Sequence, residues 1–229
     1  MRKGLLGEIL WFFTAIALLA LCFVWKGESE EGTPASASGA VLEKIEPPKL
    51  ALTFDDGPSI YTESLLEGLK ERGVKASFFL LGKNIQGKED VVKEIYQEGH
   101  LIGNHTFNHV QLTKLSQKEA QAEIEKTSSL IYTITGQYTT FVRPPYGEWR
   151  EDLEYAVTML PVFWSVDPMD WNTDNADAVV KKVESKVEEG DIILLHDSSK
   201  SSVQAALRIV DDLTAKGYEF VTVEEMLLD

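Results

Sequence analysis

Two aspartates stand side by side, Asp55 and Asp56, at the end of the apolar run Leu50–Phe54, and Gly57-Pro58 follows them. Burying one carboxylate costs free energy and two adjacent ones repel, so the pair calls for nearby compensation. A turn in which one Asp caps the next helix would need no chemistry. The Asp-x-Asp start of a haloacid-dehalogenase-type phosphotransferase fits poorly, because these carboxylates are adjacent. Adjacent carboxylates point different ways and can divide their work between a metal and a reacting water.

The pentapeptide "HTFNH" sets His105 and His109 at i, i+4, the spacing that puts two imidazoles on one side of a helical turn. Only four histidines occur in the chain, and two fall here. Thr106 stands where zincin proteases carry Glu, so this motif offers ligands without a base. The single cysteine, Cys22, excludes an internal disulfide and a Cys-based zinc knuckle. A metal site must then use His and carboxylate, and one aspartate of the pair would complete an Asp-His-His set with a position left for water.

Three further stretches carry usable groups. "RPPYGEW" presents Arg143, whose planar fork can hold a carboxylate bidentately. "VDPMDW" supplies Asp167, Asp170 and Trp171; a carboxylate beside a histidine favours imidazolium, and an indole face suits a sugar ring or an acyl methyl. "ILLHDSS" ends a strand on His196-Asp197, while His100 has no motif around it and reads as structural. If one aspartate of the pair meets a divalent cation and the other meets Arg143, the adjacent charges are accounted for.

These groups need a scaffold. Strand-like runs are expected at Leu50–Phe54, "KASFFLLG", "HLIGNH", "YTTFVR", "VFWSVD", "DIILLHD" and "YEFVTV". Helical runs alternate with them: "YTESLLEGLKERG" with Leu65, Leu66 and Leu69 on one face, "KEDVVKEIYQEG", the long run from Ser116 with its Ser116/Glu119 capping box, "EWREDLEYAVTM", and stretches near 176–189 and 201–216. About seven strands alternating with helices predict an α/β fold of parallel strands, either a barrel or a doubly wound sheet. Asp55-Asp56, His105, Arg143, Asp167 and His196 each fall at or just past the end of a predicted strand. In a parallel barrel those ends share one face.

Composition narrows the function. The 229 residues are 44% hydrophobic and 10% aromatic, enough for a substantial core. A formal charge of −15 argues against a nucleic-acid partner, and no glycine-rich phosphate loop points to a nucleotide cofactor.

The first 25 residues differ. Arg2 and Lys3 precede the uncharged run Ile9–Trp25, which would span roughly 26 Å as a helix. Trp11 and Trp25 lie near its two ends. "KGESEE" follows where a signal peptidase would want small residues, and Leu21 before Cys22 fits a lipoprotein site poorly. The reading is a single-pass membrane anchor over 1–25, a flexible tether over 26–47 and an extracytoplasmic domain over 48–229, secreted if the N-terminal segment is cleaved.

Taken together and in order, "TFDDGP", "HTFNH", "RPPYG", "DPMDW" and "LLHD" resemble the five motifs of the polysaccharide deacetylase family, the carbohydrate esterases with a NodB homology domain. The resemblance covers about Lys49 to Asp229. It implies a distorted (β/α) barrel of about seven parallel strands and metal-dependent removal of acetyl groups from N-acetylated sugars. By that resemblance Asp56, His105 and His109 would hold the metal, usually zinc, with cobalt, nickel or manganese as alternatives. Asp55 would be the general base, oriented by Arg143, and His196 the general acid, paired with Asp170. The backbone N–H of Tyr146 would help form the oxyanion site, and Trp171 and Leu194 would shape the acetyl pocket. The implied substrate is an acetylated polysaccharide, peptidoglycan or a chitin-type glycan; an O-acetyl xylan-type esterase and a non-catalytic glycan-binding module are the alternatives.

Overall fold

The structure, a computed structural model, describes residues 46–154 and 156–228. The expected anchor (1–25) and all but the end of the expected tether lie outside the described residues. Among the described residues no helix is long and apolar enough to cross a membrane.

Seven parallel strands make one sheet: β1 (Lys49–Asp55), β2 (Ser77–Leu80), β3 (Leu101–Asn104), β4 (Phe141–Val142), β5 (Leu160–Pro161), β6 (Ile192–His196) and β7 (Glu219–Val221). Their order is β5-β4-β3-β2-β1-β6, and β7 pairs with the first three residues of β1. Helices α1 (Thr62–Glu71), α2 (Gly82–Ile85), α3 (Glu89–Gln97), α4 (Gln117–Thr135), α5 (Ala176–Glu184), α6 (Lys200–Ala215) and α7 (Val223–Leu228) connect and follow the strands.

β1 is the centre of the sheet, and its residues after Lys49 are all buried, as a parallel strand covered on both faces must be. Alternation sends Leu50, Leu52 and Phe54 into the main helix-packed cluster with Leu65, Leu66 and Leu69 of α1 and with α3, α5 and α6. The other face carries Ala51, Thr53 and Asp55. Ala51 packs inside the curl of the sheet with Phe79, Phe141, Val162 and Val223. The same period that builds this inner layer therefore aims Asp55 inward.

The predicted barrel is an open, curled half-barrel rather than a closed one. The edge strands β5 and β6 do not pair with each other. The seam is instead bridged by one parallel contact, Val166 with Ile193, where Leu194 N–H donates to the Val166 carbonyl at 2.9 Å. "VFWSVD" is thus a seam-filling segment and not a strand, and Asp167 follows a single bridge.

Among the described residues of "EWREDLEYAVTM" the expected helix gives way to one 3₁₀ turn at Glu151–Leu153. Arg150 binds Asp152 through both carboxylate oxygens and also donates to the Leu115 carbonyl. That i, i+2 pairing belongs to an extended chain, since helical neighbours are three or four apart. Leu153 and Val157 reach the Leu112–Ile124–Val142 cluster without a helix. The capping box of α4 forms as expected, and Gly136 ends that helix with φ 74°.

Candidate active site

Asp55 ends β1 and His196 ends β6, and the two are register partners. His105 follows β3 and Arg143 follows β4. Their loops enclose a cavity of about 360 Å³ lined by Asp55, Asp56, His105, His109 and His196, with Tyr146, Trp164, Asp167, Trp171 and Leu194 completing the wall.

Arg143 is fully buried beneath it. One guanidinium nitrogen, Nη1, donates to Asp55 Oδ1 at 2.9 Å and to Thr53 Oγ1 at 2.7 Å. Nη2 donates to the Phe163 carbonyl at 3.3 Å, and the plane lies 4.1 Å above the Phe79 ring. The expected bidentate grip is therefore a single-nitrogen contact, because the rest of the fork holds the seam segment. Burial lowers the guanidinium's pKa while Asp55 opposes that shift, and an arginine stays charged. Asp55 Oδ2 is left facing His105 Nε2 at 3.6 Å.

The two imidazoles do not sit on a helical turn. Thr106 and His109 have φ of 66° and 62°. Local side chains outbid the helix: Asn104 Oδ1 accepts from Thr106 N–H at 2.8 Å, Thr106 Oγ1 accepts from His109 N–H at 3.1 Å, and Glu123 accepts from the Phe107 and Asn108 N–H groups. Asp56 (φ 69°), Tyr146 (φ 63°) and Met169 (φ 58°) share this left-handed region, so all five such non-glycine residues among those described lie on loops around the cavity. Strained backbone of this kind persists where the surroundings over-determine it.

The result is a compact cluster of candidate ligand atoms. The Arg143 carbonyl accepts from His105 Nδ1–H at 2.6 Å, which fixes the tautomer and leaves the Nε2 lone pair free. Asp56 Oδ1 lies 3.6 Å from His105 Nε2 and 3.6 Å from His109 Nε2, is buried, and has no hydrogen-bond partner. Burial, followed by the neighbouring His105, lowers the pKa of His109 and favours its neutral, ligating form. The three ligand atoms lie within 4.8 Å of one another. Tetrahedral bonds of about 2.0–2.2 Å would put ligand atoms roughly 3.3–3.6 Å apart, close to the separations seen. A buried carboxylate oxygen with no hydrogen-bond partner, facing the His105 Nε2 lone pair, is a poor arrangement without a cation and a good one with it.

On the other side, His196 Nδ1–H donates to Asp170 Oδ1 at 2.9 Å, while Asp170 Oδ2 accepts the His196 backbone N–H at 2.9 Å. Burial works against the imidazolium, but the Asp170 hydrogen bond and charge, aided by Asp55 and Asp56, outweigh it and raise the pKa to about 8. Trp171 is exposed at the rim and Leu194 is buried in the wall. The Tyr146 ring stands edge-on to His109, with centroids 4.8 Å apart.

Four neighbours were not singled out in the sequence as parts of the site. Thr53 bridges to Arg143, and its place two residues before Asp55, on the same strand face, was the available signal. Phe79 supports the guanidinium and Trp164 lines the cavity. Asp197 is fully buried, accepts from Thr62 Oγ1, and lies where a Cβ on Gly57 would come within 2.9 Å. That close approach explains the glycine after the two aspartates. Burial raises the Asp197 carboxyl to about 6.

A second cavity of about 470 Å³ lies near the starts of β2, β3 and β4, beside His100. Its histidine accepts from the Ala76 N–H at 3.1 Å and is lowered by burial to about 4, so it is neutral and structural, as expected. The smaller cavity is the one lined by Asp55, Asp56, His105, His109 and His196.

A family model described as polysaccharide deacetylase matches residues 43–162. Over 179 residues the chain is 40% identical to the peptidoglycan-N-acetylglucosamine deacetylase PgdA of Listeria monocytogenes, covering 78% of this chain and 38% of that protein. Over 186 residues it is 40% identical to a peptidoglycan-N-acetylglucosamine deacetylase of Bacillus cereus, covering 78% of this chain and 68% of that one. The structure of the peptidoglycan deacetylase PdaC from Bacillus subtilis superposes with a TM-score of 0.76 at 39% identity, over 79% of this chain and 90% of that chain. The chain thus spans well under half the length of the Listeria relative.

Proposed function

This chain belongs to the polysaccharide deacetylase family, and on that premise we propose that it hydrolyses the acetamide of N-acetylglucosamine units in an extracytoplasmic glycan, namely peptidoglycan. The observation that carries this reading is the pairing of a compact Asp-His-His cluster, Asp56, His105 and His109, with a buried carboxylate and a raised-pKa imidazole across one cavity. The substrate assignment draws on the relatives' own substrates. The apolar run at Ile9–Trp25 supports a domain held outside the membrane, where that glycan lies.

Asp56 and the Nε2 atoms of His105 and His109 would hold a divalent cation, zinc by the nature of the donors. When bound, such an ion polarises the acetyl carbonyl and acidifies a water ligand. Asp55 does the next part. With Oδ1 engaged by Arg143, its Oδ2 is free to take the proton of the attacking water. The Tyr146 N–H is assigned to the carbonyl oxygen as charge builds there, a donor of a kind worth roughly 3–4 kcal/mol in other enzymes. The departing amine is a strong base and needs a proton as the C–N bond breaks. His196, protonated below about 8, supplies it from Nε2 while Asp170 holds Nδ1. Trp171 and Leu194 pack the acetyl methyl and exclude water around it.

The test is acetate release by the full-length chain from peptidoglycan, chitin oligomers and acetylxylan side by side, with and without chelator. Release from peptidoglycan that stops on chelation and returns with zinc or cobalt is the expected result. Release from acetylxylan alone would make the chain an O-acetyl esterase. Glycan binding with no acetate from any of the three would make it a binding module.

A further inference from the structure

Beyond Asp56 and His109, a second hollow of about 550 Å³ opens beside the catalytic cavity. The two share those residues, so a glycan lying over the ligand cluster passes from one into the other. One wall is the turn after β1, with Ile60 exposed at its lip. The other is α2 and the turn after it, which bring Lys83, Asn84 and Lys88.

The two ammonium groups are tethered but not neutralised. Lys88 Nζ donates to the carbonyls of Pro58 at 3.1 Å and Asn84 at 3.4 Å, and Lys83 Nζ donates to that of Asn108 at 3.3 Å. An ammonium has three donors, so one remains on Lys88 and two on Lys83. Among the described residues, the lysines and arginines that meet a carboxylate are Lys70, Arg72, Arg143, Arg150, Arg208 and Lys216. Lys83 and Lys88 are not among them, in a chain of net charge −15. Nearby Glu89 turns its Oε1 to the Gly87 N–H at 3.1 Å. Asp56 is the one carboxylate lining the hollow among the described residues, and its Oδ1 faces the two imidazoles.

A neutral glycan gains nothing from free positive charge at this place, whereas an anionic one does. We propose that the Lys83–Lys88 hollow is a subsite for a carboxylate carried on the sugar next to the one being deacetylated, so that the site selects acidic over neutral N-acetylated glycans. This rests on the deacetylase reading and deepens it by assigning a substrate class to named residues. The carboxylate could be the lactyl ether of an N-acetylmuramic acid unit or belong to a peptide attached there.

The experiment compares kcat/KM of the full-length, metal-loaded chain on three glycans of equal length. These are neutral N-acetylglucosamine oligomers, alternating oligomers with a free lactyl carboxylate, and the same oligomers bearing a peptide stem. The expected result is a preference for an acidic substrate that shrinks as salt is raised, since exposed charges are screened within about 10 Å at 0.1 M. Lys83→Gln should lower the acidic-to-neutral ratio roughly two- to fivefold, the scale of an exposed ion pair, and Lys83→Glu further. Lys88 also steadies the Pro58 carbonyl, so Lys88→Arg, which keeps the charge, should keep the ratio while Lys88→Gln lowers it. Whichever acidic arm responds to Lys83 identifies the source of the carboxylate. A ratio near one, or one untouched by salt and by both glutamine variants, would overturn the subsite alone. No acetate from any of the three glycans would overturn the deacetylase reading, and the subsite with it.

Discussion

Asp55 and His196 are direct register partners on adjacent parallel strands, each the last residue of its strand. Neighbouring strands lie about 4.8 Å apart, so the proposed base and acid are spaced by backbone pairing and not by loop conformation. Their second contacts then separate their duties. Arg143 Nη1 donates to Asp55 Oδ1 at 2.9 Å, and His196 Nδ1–H donates to Asp170 Oδ1 at 2.9 Å.

Asp55 and His105 should be separable by metal content. Asp55→Asn is expected to retain zinc at the wild-type stoichiometry while kcat falls by roughly 10²–10⁴, the range for loss of a positioned base. His105→Ala should lose zinc and turnover together. Metal analysis after dialysis, paired with acetate assays, checks this; equal zinc loss in both variants would refute the division of labour.

The alkaline limb of the pH–rate profile should follow His196. Its pKa is raised to about 8, so the imidazolium is present below that pH and turnover falls as pH rises through it. A cation beside Asp56 subtracts some of the carboxylate support, placing the limb of the loaded protein at or below about 8. In Asp170→Asn the burial penalty remains and the main support is gone, so the limb should move down by at least one pH unit. A pH–kcat profile whose upper limb is the same in wild type and variant would remove His196 from the role.

The Arg143–Asp55 pair should be expensive to break singly. Arg143→Ala leaves a buried carboxylate without its cation, a loss of roughly 3–5 kcal/mol by comparison with other buried pairs. Replacing both partners, as Arg143→Met with Asp55→Leu, should recover much of that stability and none of the activity. Urea unfolding of the two variants decides the matter. If the double variant is no more stable than Arg143→Ala, the cost lies in the guanidinium's contacts with Thr53, Phe163 and Phe79 and not in the stranded charge.

Asp197 gives a stability prediction with a definite sign. Its folded pKa is raised from 3.8 to about 6, with burial as the largest cause. The stability it contributes as a neutral acid is full below the unfolded value of 3.8 and is lost as pH rises through about 6. The shift corresponds to at most roughly 3 kcal/mol. Asp197→Asn cannot ionise, so between pH 4 and pH 7 its stability should rise relative to wild type. Denaturant unfolding at those two pH values reads the difference directly, and parallel pH profiles for the two proteins would contradict it.

Much of this site was legible in the chain, because its signals are local. The apolar run Leu50–Phe54 marked a buried strand ending at Asp55, and the capping box at Ser116 and Glu119 fixed the start of α4. The misreadings were local as well. "HTFNH" has helical spacing, yet Asn104, Thr106 and Glu123 offered its N–H groups better partners than a helix would. "EWREDLEYAVTM" has helical apolar spacing, yet Arg150 paired with Asp152 and reached the Leu115 carbonyl instead. Side-chain competition for backbone donors and chain direction depends on what packs nearby, which periodicity does not encode.

The sequence by itself determined which groups are present, that a single cysteine can form no internal disulfide, and that Asp55, His105, Arg143 and His196 fall at strand ends. Residue type and spacing carry that much, since they are properties of chain neighbours. Tertiary structure decided that Asp56 Oδ1 sits 3.6 Å from the Nε2 atoms of two imidazoles, that Arg143 spends half its fork on the seam, and that Lys83 and Lys88 stand beside the same opening with no carboxylate partner among the described residues. Those are relations between residues far apart in the chain, and only strand register and close packing set their distances.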